Sequence, residues 1–222
     1  GQRPGGRRPA VPQTIEEMKA DARDLEAPGA DPGAEGRGDG SRQIQKYHTL
    51  SPVTVTFIPH EKPPFYMACA EEVPDDKKEG QTRACNKKLE PGGNCWTCAA
   101  GHCCQEPSVR WICQFSVSDH TGTQYMSSFD DVGQVIMGCK AEEVGRRWDR
   151  REEDSVQREL DRLFNAGLHK RWRLRVKSRK EFWNDEEKLK FTAVEMTPID
   201  LVQDGKLKFQ EVVQSLAAME SR

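Results

Sequence analysis

The chain holds eight cysteines in 222 residues. Six of them, Cys69, Cys85, Cys95, Cys98, Cys103 and Cys104, crowd into one stretch, with Cys113 just beyond it. Their neighbours are mostly Gly, Asn, Lys and Asp, a composition that cannot form an apolar core. Thiolates can hold Zn2+ tetrahedrally, and the metal–ligand bonds then replace the missing burial. The spacing therefore predicts a small lobe closed around one structural zinc ion, in preference to a disulfide lobe. Cys69 and Cys85 supply one half of the ligand set. For the other half, spacing prefers the C-x-x-C pair Cys95 and Cys98; Cys98 with Cys103 is a second arrangement, and His102 is a further candidate ligand. The surplus cysteines, including Cys113 and Cys139, read as small buried apolar side chains.

A catalytic zinc is not indicated. The H-x-E partner of zinc deaminases and the H-E-x-x-H motif are both missing, and an all-thiolate site leaves no open position for water. No G-x-x-x-x-G-K-S/T phosphate loop and no Ser-His-Asp context appears either.

A second cluster has different chemistry. From Lys170 to Lys180 seven of eleven residues are cationic. Period two places Trp172, Leu174 and Val176 on one face of a strand and Arg171, Arg173, Arg175 and Lys177 on the other. Such a strip is either a solvated strand face or a surface for phosphates, and its density without interleaved acids favours phosphates. Rings that could stack on bases accompany it: Tyr125 and Phe129 share a face of their strand, and Phe182 and Trp183 stand in the connection between the last two strands. Basic groups with exposed rings on a barrel describe a single-strand nucleic-acid binder. Net charge is only −2, so anion binding must come from such local clustering. No stretch approaches the apolar length of a membrane span, and the Arg-, Gly- and Pro-rich first residues form no signal-peptide core, so an intracellular protein without a membrane partner is expected.

The elements that must position these groups are legible from alternation. Residues 1–45 are rich in Gly, Pro, Ala, Arg and Asp and read as a flexible linker, with one helical pattern near Thr14, where Glu17 stands at capping-box distance. Val53 to Ile58 reads as a strand. After the cysteine lobe, Trp111 to Ser118 and Gln124 to Phe129 form a hairpin across Asp119-His120-Thr121-Gly122. Helical patterns run from Val132 to Met137 and from about residue 150 to Phe164, with Gly167 as a stop. Arg171 to Lys177 and Leu189 to Met196 are the last strands. This order is that of a mainly β, five-stranded Greek-key barrel of OB type, with the lobe inserted after the first strand, helices between strands 3 and 4, and a C-terminal α-helix. In that helix Leu207, Phe209, Val212, Val213, Leu216 and Met219 recur at helical spacing with no core left to join.

Several segments together carry a family resemblance: Phe65-Tyr66-Met67-Ala68-Cys69, Cys85-Asn86-Lys87-Lys88-Leu89, Ser116-Val117-Ser118-Asp119, Tyr125 to Gly138, Arg173-Leu174-Arg175-Val176-Lys177, Trp183-Asn184-Asp185-Glu186 and Met196-Thr197-Pro198-Ile199-Asp200. In this order they resemble the C-terminal, zinc-containing DNA-binding domain of the replication protein A large subunit, over roughly residues 45–220. Thr14 to Lys19 is similar to the segment that leads into that domain.

The resemblance implies an OB barrel over 46–197 with a zinc ribbon inserted at 66–108, and an oligomerisation helix over 198–222 that joins helices of two smaller replication protein A subunits. It implies no catalytic reaction. The implied role is to hold single-stranded DNA in the nucleus during replication, repair and recombination; the alternative is an assembly module with little DNA affinity of its own. By the same resemblance Tyr125, Phe129 and Trp183 face DNA, Arg110, Arg175 and Lys177 match basic positions near the strand, and Lys87 and Lys88 lie close enough to touch phosphate. The ligand set it implies is Cys69, Cys85, Cys98 and Cys103, with Cys95 and His102 as substitutes. The chain departs from the family pattern in the insertion Ala70 to Ala84 between the first two ligands.

Overall fold

The computed structural model describes residues 11–25, 44–75, 78–183 and 186–220. A helix α1 (Ile15–Arg23) precedes the long strand β1 (Gln45–Phe57). The cysteine-rich lobe follows with β2 (Phe65–Ala68), β3 (Glu72–Pro74), β4 (Thr82–Ala84), β5 (Leu89–Pro91), β6 (Trp96–Cys98) and β7 (Cys103–Cys104). The chain then forms β8 (Ser108–Ser118), β9 (Thr123–Phe129), α2 (Asp130–Met137), α3 (Ala141–Trp148), α4 (Asp154–Ala166), β10 (Arg171–Trp183), β11 (Glu186–Pro198) and α5 (Leu201–Glu220).

Strands β1, β10, β11, β9 and β8 are hydrogen-bonded in that order, and β8 returns to β1, so the sheet closes. Neighbours are antiparallel except β9 and β11, which run parallel through Thr192 opposite Ser127 and Ala193 opposite Ser128. This is an OB-like, mainly β barrel. It divides into two layers that share β1, one made of β1, β8 and β9, the other of β1, β10 and β11. Alternation sends Trp111, Cys113, Phe115 and Val117 inward from the first layer, and Trp172, Leu174 and Val176 from the second, into one core. The outward residues of the two layers consequently point away from each other.

Helix α2 lies so close to β8 that a Cβ on Gly133 would stand 2.4 Å from the Cβ of Trp111, so only glycine fits there. Trp111 is fully buried, and its indole donates to the Cys139 carbonyl at 3.1 Å. Gly138 at φ 69° stops the helix in the left-handed region.

Three expectations need correction. Residues 1–45 are not linker throughout: α1 is part of the barrel, with Ile15, Met18 and Ala22 fully buried, and each large side chain contributes about 1.5–3 kcal/mol by burial. Thr14 and Glu17 do form the capping box, and the Ile15 amide donates to Asp119 in the β8–β9 turn at 2.7 Å. Between the two helices read from sequence stands a further one, α3, which buries Ala141, Val144 and Trp148. The last two strands are longer than alternation indicates. Their extension is held by charge pairs, Lys180 to Glu187 at 2.7 Å and Lys190 to Glu181 at 3.6 Å, where no apolar face marks a strand. Among the described residues no helix is long and apolar enough to cross a membrane.

Candidate functional site

The lobe hangs from the barrel on β2, which pairs with the first residues of β8 from Phe65 opposite Trp111 to Ala68 opposite Ser108. Its interior consists of Cys69, Cys85, Leu89, Cys98 and Cys104, with Met67, Val73 and Trp96 packed against it. Cys69 and Cys85 are brought together despite the long insertion, because the insertion folds back as the β3–β4 hairpin. Backbone bonds fix the junction: the Cys69 amide donates to the Lys87 carbonyl at 2.9 Å and the Asn86 amide to the Cys69 carbonyl at 3.0 Å, with Asn86 at φ 55°. On the other side Gly101, at φ 81°, turns the chain so that the Cys98 amide meets the His102 carbonyl at 3.2 Å.

The result is a cluster of Cys69, Cys85, Cys98 and His102 whose ligand atoms all lie within 4.8 Å of one another, a set that could hold a metal ion. Sulfurs around a tetrahedral zinc stand about 3.8 Å apart, given Zn–S bonds of about 2.3 Å. The expectation of Cys103 as fourth ligand is not met. Its sulfur is bonded to Cys95, with their Cα atoms 5.7 Å apart. The turn at Gly101 presents the neighbouring His102 instead, whose Nδ1 stands 3.5 Å from the Cys69 sulfur. Burial, together with the neighbouring Cys98 and Cys85 thiols, pushes the Cys69 thiol up to about 11. Burial acts in the same sense on Cys98, but amides of Ala100 and His102 and the thiols of Cys69 and Cys85 outweigh it and lower that thiol. Cys113, pushed up to about 12 by burial in the barrel, is an inert core side chain.

The outward face of the β1–β8–β9 layer carries the rings. Along β8 it presents Arg110, Ile112, Gln114 and Ser116; along β9, Tyr125, Ser127 and Phe129. Phe129 lies opposite Ile112 and Tyr125 opposite Ser116. Phe129 is 53% exposed and Tyr125 46%, so neither belongs to the core. The Tyr125 hydroxyl donates to Gln114 Oε1 at 2.9 Å, and partial burial, with Glu61 nearby, raises its pKa above the usual phenol value. A groove of about 390 Å³ runs beside these residues, walled by Pro59, Lys62 and Pro64 and floored by Ile112, Gln114 and Tyr125. At its lobe end Arg110 pairs with Asp130 at 3.3 Å, and Lys87 and Lys88 are exposed on the lobe.

Arg175 and Lys177 are not brought to this face. They stand on the outside of β10, in the other layer, beside Tyr47 and Thr49 of β1. The Arg175 guanidinium lies 4.9 Å from the Tyr47 ring centre and 3.9 Å from Glu195. Among the described residues Arg171, Arg173 and Lys177 have no carboxylate partner. The strip and the rings, read from sequence as one surface, are two surfaces. Trp183 ends β10 at the hairpin tip; its side chain, like those of Phe182 and Leu207, lies outside the described residues. Just before α5, Asp200 accepts from the amides of Val202 and Gln203 as a cap, and along the helix Phe209, Val212, Val213, Leu216 and Met219 are all exposed.

Sequence reasoning missed two residues here. Tyr47 could have been noticed as a lone ring next to the basic strand in an alternating register. Phe57 left no signal, because period two from Val53 and Val55 places it in the core, whereas it is half exposed on the outside.

Residues 47–208 match the family model described as the replication factor-A C terminal domain. A replication protein A 70 kDa DNA-binding subunit from Oryza sativa subsp. japonica is 32% identical over 167 residues, which cover 74% of this chain and 23% of that protein. Replication factor A protein 1 of Schizosaccharomyces pombe is 26% identical over 125 residues, covering 55% of this chain and 19% of that protein. The chain thus spans about a quarter or less of these relatives. A solved structure of yeast RPA bound to ssDNA superimposes with a TM-score of 0.60 at 20% identity, over 93% of this chain and 99% of that one. A replication protein A heterotrimer bound to ssDNA gives a TM-score of 0.60 at 23% identity, over 80% and 36% of the two chains. These likenesses show a shared OB-like fold.

Proposed function

Since the chain belongs to the replication factor-A C-terminal domain family, we propose that it binds single-stranded DNA, without catalysing a reaction, within a replication protein A complex acting in nuclear DNA replication, repair and recombination. The observation that carries this reading is the exposed pair Tyr125 and Phe129 on β9, the strand corresponding to the third of an OB barrel, beside β8, which corresponds to the second; this is the face on which such folds bind oligonucleotides. Each base stacked on a ring contributes about 1–3 kcal/mol whatever its identity. Arg110, Lys87 and Lys88 flank that face and meet phosphates. The hairpin tip bearing Trp183 corresponds to the loop between the fourth and fifth strands, which in this fold also contacts the ligand. Arg175 and Lys177, on the other layer, act through their field and not by contact.

The Cys69, Cys85, Cys98 and His102 set fits Zn2+, which takes thiolate and imidazole ligands in closed tetrahedral sites. Bound there, the ion holds the inserted lobe as a zinc ribbon and with it the position of Lys87 and Lys88. The apolar residues exposed on α5 favour a second, compatible role, assembly with two smaller subunits through a helical bundle.

The test is titration of a fluorescent oligo-dT at rising salt. The expected result is binding that weakens steeply with salt and tolerates base composition. Salt-independent binding, or binding lost on truncation after Pro198, would assign the affinity to something other than the barrel.

A further inference from the structure

Strand β1 changes register against β8 between Val55 and Phe57: Val55 lies opposite Val117, and Phe57 lies opposite Ser116. Thr56 is the extra residue of a β-bulge, and it bonds back across the strands to the Ser116 carbonyl at 3.4 Å. The consequence is a reversal of facing. Val53 and Val55 are buried, and regular alternation would send Phe57 inward after them; instead Phe57 is 50% exposed and Ile58 takes the inward position. Bulges commonly serve to re-aim one side chain. Ile58 supplies the inward burial in its place, which leaves the Phe57 ring on the outer face.

The register says what the ring is aimed at. Phe57 lies opposite Ser116 on one side and Tyr125 lies opposite Ser116 on the other. The three form one transverse row on the outer face of the β1–β8–β9 layer, ring, small residue, ring. The backbones of β1 and β9 are two strand spacings apart, about 9.5 Å. A planar base contacting a ring on each side needs about 7–8 Å between them. The two rings make no ring contact with each other among the described residues, and Tyr125 is steadied from behind by Gln114. Tyr125 also lines the groove walled by Pro59 and Lys62.

We propose that Phe57 and Tyr125 form a two-sided clamp that takes a single nucleobase over Ser116. The clamp rests on the reading of the β8–β9 face as a DNA interface and adds a contact from β1. It discriminates by planarity and size, not by hydrogen bonding, and so admits any base.

The test compares variants of the whole chain for binding to fluorescein-labelled oligo-dT, beside the unmodified chain. Phe57→Ala is expected to weaken binding about 5- to 150-fold, the range of one lost stack, with Phe57→Trp restoring it and showing quenched indole emission on adding the oligonucleotide. Ser116→Ile, which fills the slot and leaves both rings, is expected to weaken binding to a similar degree. Thermal melts of all variants should stay close to that of the unmodified chain, because Phe57, Ser116 and Tyr125 lie on the outer face and Phe57 and Tyr125 are about half exposed. If the unmodified chain binds and Tyr125→Ala weakens it while Phe57→Ala and Ser116→Ile do not, the clamp is overturned and the interface stands. If the unmodified chain does not bind oligo-dT, the interface itself falls and the clamp with it.

Discussion

The two outer surfaces of the barrel are made by the same rule and end up with opposite chemistry. On the β1–β8–β9 layer the outward positions hold Phe57, Tyr125, Phe129, Ile112 and Gln114 beside a groove. On the β1–β10–β11 layer they hold Arg171, Arg173, Arg175 and Lys177 with Glu195 and Tyr47. The first surface offers area for stacking, a short-range interaction that needs contact. The second offers charge, felt to about 8 Å at physiological salt and then screened. A charge run in a sequence is therefore weaker evidence of contact than a ring held out of a core.

This contrast can be broken by experiment. The largest effect is expected from Tyr125→Ala combined with Phe129→Ala, which should cost about 2–6 kcal/mol of oligo-dT affinity, two stacks at about 1–3 kcal/mol each, measured by fluorescence anisotropy with no change in melting temperature. Treatment with a chelator comes next, on the proposal that Cys69, Cys85, Cys98 and His102 hold a metal ion. It should unfold the lobe while the barrel keeps its thermal transition, and the slope of log K against log salt should become shallower by about 1.4, for two phosphate contacts at about 0.7 each. The smallest effect belongs to Arg175→Gln with Lys177→Gln, expected to change affinity less than about twofold at about 0.15 M salt, where the field across the barrel is screened. A loss there equal to that of the ring variants would make the cationic layer a contact surface and end the distinction.

The barrel strands were legible in the sequence because each buries one face and leaves the other wet, and Trp172, Leu174 and Val176 announce this by period two alone. For helix α1 the capping box of Thr14 and Glu17 was legible, but its docking on the barrel was not, since its three buried residues stand before a Gly- and Pro-rich stretch and its contacts lie across more than 100 positions, from Ile15 to Asp119. Helix α3 was hidden by the glycines and charges around Val144. In the lobe, spacing and resemblance together pointed to Cys69, Cys85 and Cys98 but could not choose the fourth member, and the turn at Gly101 brings His102 into the cluster while Cys103 bonds to Cys95. Phe57 was concealed for the opposite reason: one inserted residue reversed a pattern that looked regular.

Which layer meets the nucleic acid can be read most directly by photo-cross-linking an oligo-dT in which single thymidines are replaced by 5-iododeoxyuridine, followed by peptide sequencing. The account predicts cross-links to Tyr125, Phe129 and Phe57, in the peptides of β9 and the end of β1. Cross-links confined to β10 between Arg171 and Lys177, with Tyr47, would contradict it.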